Sequence, residues 1–316
     1  MTKLKEKWQE DSKIVPLTGE IQEIYENIHT FYFSKLKCFP DLVKPQDFNS
    51  KIQWLKLFDQ SKLHVSLSDK VVVRHYIETR IGAGFTPTIF AKFKRASEIA
   101  NCNLPTSYVL KVNNNSGTVF LIKDGSMFNL SSIKSQLEQA INLAYGWKYG
   151  EWMYSYIQPQ IFAEEYIGPV SNIPPADFKF HCVNGKIKWI QYIEGRGNSV
   201  SKEINVDING KNLDFHFNTL LGRTNEFNIP HKWEEMKDIA EKLSAGWKYL
   251  RVDMYQTHSR IFVGELTFFP LGGFLSGEGQ KIAGKMLDFS TDDFKPFVIN
   301  ELENTLSRHK IYSGCY

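Results

Sequence analysis

Apolar positions recur with the helical period in the first third of the chain and with the strand period in most of the rest. In EIQEIYENIHTFYFSKL (20–36), Ile21, Ile24, Ile28, Phe31 and Phe33 fall mostly on one helical face. Pro40 and Pro45 then interrupt the chain. FNSKIQWLKLFDQ (48–60) has the pattern of a second amphipathic helix, with Ile52, Leu55 and Phe58 inward. A third helix, DKVVVRHYIETRIG, is predicted with Ser68 or Asp69 as its cap and Gly82 or Gly84 closing it.

Strand patterns begin with TPTIFAKF and strengthen at YVLKVNN (108–114), which a small-residue turn joins to VFLIKDG. A helix is predicted over 131–145, ending at Gly146. MYSYIQ, QIFAEEYIG and DFKFHCVNGKIKWIQYIEG follow as β-runs, the last a hairpin turning at Asn184-Gly185. A helix over 233–245 leads into a final hairpin, RVDMYQTHSRIFVGELTFFP (251–270). Helices first, then strands interleaved with helices, predict an α+β protein with a mostly antiparallel sheet.

Composition narrows this picture. The 316 residues are 42% hydrophobic and 14% aromatic, ample for a buried core. A formal charge of +3 gives no reason to expect a nucleic-acid partner. The mixed-charge run 1–14 reads as a solvated terminus, and no apolar run is long enough for membrane insertion. Cys38, Cys102, Cys182 and Cys315 show no metal-ligand spacing and read as reduced thiols of a cytoplasmic protein. The eight histidines form no HxH or HExxH pattern, and no nucleophilic triad is visible.

Four stretches carry candidate chemistry. In the 251–270 hairpin, pairing Tyr255 with Ile261 sets Arg251 opposite Glu265 and puts Arg251, Asp253, Glu265 and Thr267 on one face. A one-residue slip moves Glu265 and Thr267 to the other face. Two readings stay open: an Arg–Glu ion pair on a wet surface, or two carboxylates with a cation between them, a donor set suited to Mg2+. In YVLKVNNNSG, Lys111 lies on a strand and Ser116 and Gly117 in a loop whose backbone amides can approach phosphate; the alternative is a plain polar turn. In SDKVVVR, Lys70 and Arg74 stand one turn apart at a helix start, where anions are favoured. In QIFAEEYIG and the strand after it, Glu164 and Glu165 close one strand while Asp177 and Lys179 share a face of the next. Asp177 suits ribose hydroxyls and Lys179 a phosphate, although solvated strand edges read the same way.

These pieces, in this order, resemble the TupA-like branch of the ATP-grasp superfamily, associated with teichuronopeptide and capsular polysaccharide biosynthesis. The likeness runs from about residue 40 to 300, through DFNSKIQWLKL, SDKVVVRHYI, YVLKVNNNSG, EEYIG, DFKFHCVNGK and RVDMY…GELTFFPLGG. It implies two α+β subdomains clasping ATP: 1–67 as a helical amino-terminal segment, 68–165 as the first part, and 166–316 as the second. By the same likeness Lys70 and Lys111 are phosphate lysines, and Glu164, Glu165, Tyr166 and Ile167 form the adenine hinge. Asp177 takes the ribose, and Asp253 and Glu265 bind Mg2+. Thr267 stands where an asparagine ligand is usual, and Arg251 stabilises the phosphate or developing oxyanion. The implied reaction is ATP-dependent amide formation through an acyl phosphate, joining an amino acid or amine to a uronic-acid sugar. A kinase, a glycosyltransferase of the same pathway and a catalytically silent binding module are the competing readings. Arg196, His216 and Arg223 are candidates for the acceptor.

Overall fold

The computed structural model describes residues 20–123, 130–143, 145–168, 175–195, 201–257 and 260–291. The terminal run 1–14, Arg196, His258, His309 and Cys315 lie outside these residues.

Helix α1 spans Glu20–Leu36. Its inward face is Ile24, Tyr25, Ile28 and Tyr32, while Phe33 is 39% exposed. Spacings of one, four and eight from Ile24 stay within one helical stripe, and Phe33 turns about 100° off it. Helix α2, Phe48–Phe58, starts at Asp47, whose carboxylate accepts from the backbone N–H and hydroxyl of Ser50, both at 2.9 Å. Expected to be amphipathic, α2 is buried almost all round, with Gln53 and Lys56 included.

The helix expected from residue 69 onward starts only at Val73, and a separate short helix precedes it. Helix α3 covers Lys62–Ser68 and α4 covers Val73–Ile81. Between them the Asp69 carboxylate accepts from the N–H groups of Val71 (2.8 Å) and Val72 (3.2 Å). That side-chain competition with the backbone holds a turn open, so Lys70 sits in a loop and not on a helix.

Two sheets follow. The smaller joins β1 (Ile89–Phe93), β2 (Tyr108–Val112), β3 (Val119–Ile122) and β4 (Ile161–Glu165) in the antiparallel order β1-β4-β2-β3. Helix α5, Leu130–Ile141, packs Leu137, Ala140 and Ile141 into its core. The helix expected to run to residue 145 ends at Ile141, and a short helix α6 occupies Tyr145–Lys148. The strand expected at MYSYIQ is a 3-10 turn over Trp152–Tyr156. Trp152, Met153 and Tyr154 are consecutively buried, which an alternating strand does not allow.

The larger sheet contains β5 (Asp177–Val183), β6 (Lys186–Glu194), β7 (Lys202–Val206), β8 (Gly222–Arg223), β9 (Tyr249–Gln256) and β10 (Ile261–Thr267). Its order is β10-β9-β5-β6-β7-β8, antiparallel except for β7 with β8. Asn184 (φ 50°) and Gly185 (φ 75°) make the turn between β5 and β6, both in the left-handed region a two-residue hairpin demands. One face packs on helix α7, Trp233–Ser244, whose Trp233, Met236, Ile239, Ala240 and Leu243 are buried with Phe178, Phe180, Leu250, Val252 and Met254. Helices α1 and α2 share this core. Among the described residues no helix is long and apolar enough to cross a membrane.

Candidate functional site

Strand alternation sends one residue of each pair to α7 and the other to the opposite face of the larger sheet. On that opposite face the registers align a single row: Glu265 opposite Asp253, Asp253 opposite Lys179, Lys179 opposite Gln191, and Gln191 opposite Asn205. The neighbouring row is Thr267, Arg251, His181 and Trp189.

The hairpin register differs from the expected one. Arg251 stands opposite Thr267, and Glu265 stands opposite Asp253. From the turn the ladder runs Gln256–Ile261 to Met254–Val263, one residue off the expected pairing. A bulge at Gly264 adds a second residue to the offset before Glu265, so the pairing beyond it stands two residues from the expected one. The four side chains share a face because the total shift is two residues, and an even shift restores the face that a one-residue slip would have lost. Gly264 also lets the Tyr255 ring close in, since a Cβ there would fall 2.4 Å from Tyr255 Cε2.

Asp253, 3% exposed, is held by two cations. Arg251 donates a fork to it, Nε to Oδ1 at 2.6 Å and Nη2 to Oδ2 at 2.8 Å. Lys179 Nζ donates to Oδ2 at 2.5 Å and lies 3.5 Å from Asp177. Burial raises the Asp253 carboxyl, but Arg251 and then Lys179 outweigh it and hold the group below its ordinary range. Burial likewise opposes the Arg251 charge, and Asp253 reverses the sign, so the guanidinium is raised. Thr267 Oγ1 accepts from Arg251 Nη2 at 3.2 Å. Beneath them His181 is driven well below its usual range by burial and by Arg251 and Lys179. Its Nδ1 meets the Tyr249 hydroxyl at 2.8 Å and its ring stacks on Trp189.

The facing wall comes from the smaller sheet and the turn before α4. Lys111 on β2 and Arg74 on α4 both pair with Glu164, the Arg74 contact at 2.5 Å. Glu164, placed in an adenine hinge by the resemblance, has its carboxylate committed to these two cations. Glu165 accepts from the Thr88 N–H at 3.0 Å, and Lys123 lies 4.8 Å from the Tyr166 ring centroid. Lys70 Nζ donates to Asn115 O at 2.5 Å. Burial lowers the Lys70 ammonium, Glu265 across the cleft pulls it up, and Lys111 pushes it down. Asn113 ties the Lys70 turn to the end of β2, donating to Asp69 at 2.9 Å and accepting from Gln160 N at 2.8 Å. After the buried Asn113–Asn115, Ser116 and Gly117 emerge into solvent, Gly117 at φ 90°.

These walls enclose a cavity of about 630 Å³ lined by Lys70, Lys111, Ser116, Gly117, Lys179, Arg251, Asp253, Glu265 and Thr267. Asp177 and Glu164 to Ile167 do not line it, and Asp177 is fully buried beside Lys179. Two candidates for the acceptor turn elsewhere: Arg223 pairs with Asp214 at 2.8 Å, and His216 Nε2 meets Leu221 O at 3.0 Å.

Glu151, Gln191 and Asn218 line the cavity without having stood out in the sequence. Buried Glu203 explains Asn218: its carboxylate accepts from Gln191 (2.5 Å) and from the N–H groups of Phe217 (2.6 Å) and Asn218 (2.9 Å), hanging that segment over the sheet. A glutamate alternating within KEINV carries no local sign of that role.

Among the described residues no cluster of three or more His, Cys, Asp or Glu side chains can hold a metal alone. Asp253 and Glu265 face each other as a two-carboxylate set, which suits Mg2+ when phosphate oxygens complete the shell. The cations that balance Asp253 here are Arg251 and Lys179.

A family model described as TupA-like ATPgrasp matches residues 50–287. No curated protein matches the chain. Among solved structures, a D-alanine–D-alanine ligase from Bacillus anthracis complexed with ATP is similar at 18% identity and TM-score 0.41, over 78% of this chain and 68% of that one. An L-amino acid ligase from Bacillus licheniformis is similar at 14% identity and TM-score 0.44, over 74% of this chain. The chain spans 53% of that ligase, little more than half its length.

Proposed function

The chain belongs to the TupA-like ATP-grasp family and has the ATP-grasp fold, and on that premise we propose that it is an ATP-dependent carboxylate–amine ligase. One observation supports the reading most: Lys70, Lys111 and the Ser116-Gly117 loop face Arg251, Asp253 and Glu265 across a single cavity. Phosphoryl transfer needs positioning and charge neutralisation more than a protein nucleophile, and the lysines, arginine and carboxylates of this cavity suit that task.

In this reading Lys70 and Lys111 bind phosphate oxygens, and the Ser116-Gly117 backbone closes over them. The strand end Glu165 to Ile167 receives the adenine. Asp253 and Glu265 would hold Mg2+, which when bound neutralises charge on the phosphates. Asp253 then shares its charge among more cations, and Lys179 becomes available to the transferring group. Arg251 stays forked to Asp253 and stabilises the oxyanion. The substrate carboxylate attacks the γ-phosphorus with loss of ADP. The amine nitrogen then attacks the acyl carbon, the C–O bond to phosphate breaks, and phosphate leaves. We place the carboxylate on a uronic-acid sugar and the amine on an amino acid, in cytoplasmic capsule or cell-surface polysaccharide synthesis.

Incubation with Mg·ATP, glucuronic acid and an amino-acid mixture tests this by mass spectrometry. The expected result is an amide, with ADP and phosphate in equal amounts; a stable phosphoester instead makes the protein a kinase. Asp253→Asn should cut turnover by about 10²-fold or more and remove the Mg2+ dependence of ATP binding. Unchanged Mg2+-dependent binding in that variant refutes the metal assignment.

A further inference from the structure

Beside the phosphate cavity lies a second one, of about 460 Å³. Its far wall is Phe31 and Lys35 of α1, with Tyr149 and Phe274. Phe31 meets Tyr149 and Phe274 edge-on, each at 4.7 Å between centroids. Helix α1 precedes residue 50, where the family match begins, so Phe31 and Lys35 lie outside the matched region. Glu151, Asn218, Leu271 and Gly272 line both cavities, which therefore adjoin.

The boundary between them is conformationally costly. Leu271 (φ 53°), Gly272 (φ 62°) and Gly273 (φ 66°) are left-handed in succession. A leucine in that region is strained, and at 45% exposure its side chain recovers little of the cost by burial. Buried α2 side chains hold the segment in place. Lys56 Nζ donates to Gly272 O at 2.7 Å, and Gln53 Nε2 donates to Gly272 O (2.9 Å) and Gly273 O (2.8 Å). Strain maintained by buried donors, at the junction of two cavities, marks a ligand-contacting segment.

We propose that this second cavity seats the amine substrate and that the substrate is an α-amino acid with a bulky apolar side chain. The inference rests on the ligase reading. The nucleophile must reach the acyl carbon from a side the nucleotide does not fill, and the shared wall supplies that route. Glu151, a buried carboxylate on that wall, receives the ammonium end. The aromatic wall takes the side chain, and Lys35, in the last turn of α1, takes the carboxylate. On reaction Glu151 first takes one proton from the ammonium and frees the lone pair; the nitrogen then forms the C–N bond, phosphate departs with the C–O electrons, and the second proton leaves with the departing phosphate.

The test is calorimetry on the full chain at saturating Mg·AMPPNP, titrating L-phenylalanine, L-leucine, L-alanine and L-glutamate. Phenylalanine should bind at least about tenfold more tightly than alanine or glutamate. Phe31→Ala should weaken it by about tenfold and Lys35→Glu by about fivefold, with Mg·AMPPNP affinity within about twofold of wild type. Lys35 is exposed, so its variant keeps the test alive if Phe31→Ala fails to fold. Tightest binding of glutamate, phenylalanine binding indifferent to both variants, or no amino-acid binding beside normal Mg·AMPPNP binding overturns the assignment. Absence of Mg·AMPPNP binding in the wild type refutes the ligase reading itself.

Discussion

Lys56 is the residue whose chemistry is set most completely by its surroundings. Fully buried, it donates to Tyr149 O and Gly272 O, both at 2.7 Å, and lies 4.6 Å from the Phe274 ring centroid. Burial drives its ammonium down to about 7 from 10.5, against the pull of Glu151. Between those two values the unfolded chain binds the extra proton, so stability rises with pH across that window. Below pH 7 both states are protonated and the cost of burying the charge is felt in full. Wild type should therefore gain on the order of 1–3 kcal/mol relative to Lys56→Met between pH 7 and pH 10, measured by urea denaturation. A pH-independent difference would show that the ammonium stays charged throughout. In the sequence Lys56 is one more polar position of an amphipathic helix, because local periodicity does not reveal what will cover it.

At the scale of the element, the β9–β10 hairpin joins pattern to function. Alternation alone assigns Asp253 and Glu265 to one face only under a particular pairing. The turn takes a pairing one residue off, and the Gly264 bulge shifts it by one more before Glu265, which returns both carboxylates to one face. Gly264→Val should therefore force the Tyr255 ring away and strain the bulge. We expect a loss of roughly 1–3 kcal/mol in stability and weaker Mg·ATP binding. Wild-type binding and stability in that variant would show the bulge to be incidental. The break between α3 and α4 has a similar origin. Asp69 is legible as a cap, but its second role, accepting from Asn113 of the β2 loop, belongs to the tertiary structure.

At the scale of the whole molecule, the phosphate cavity is walled by two separately cored sheets. A ligand that bridges them binds the folded state alone, so Mg·ATP at 100 times its Kd should add about 2.7 kcal/mol. Thermal scans should then show a midpoint higher by roughly 5–10 °C, and the smaller sheet should resist proteolysis. No shift at saturating Mg·ATP would mean that the cleft does not take the nucleotide. The α+β class, every strand but β7 and β8, the Asn184-Gly185 turn and the cavity lysines Lys70 and Lys111 were legible in the sequence. Each depends on local periodicity, turn chemistry or a short motif, and such information lies within a few neighbouring residues. Which cation balances Asp253, where Glu164 sends its carboxylate, why Glu203 suspends Asn218 over the sheet, and that α1 walls a second cavity were settled only by the tertiary structure. Apart from the Arg251–Asp253 fork on one strand, those contacts join residues from a dozen to more than two hundred positions apart. Their energies depend on burial and on partners brought together by strand order, which no local pattern encodes.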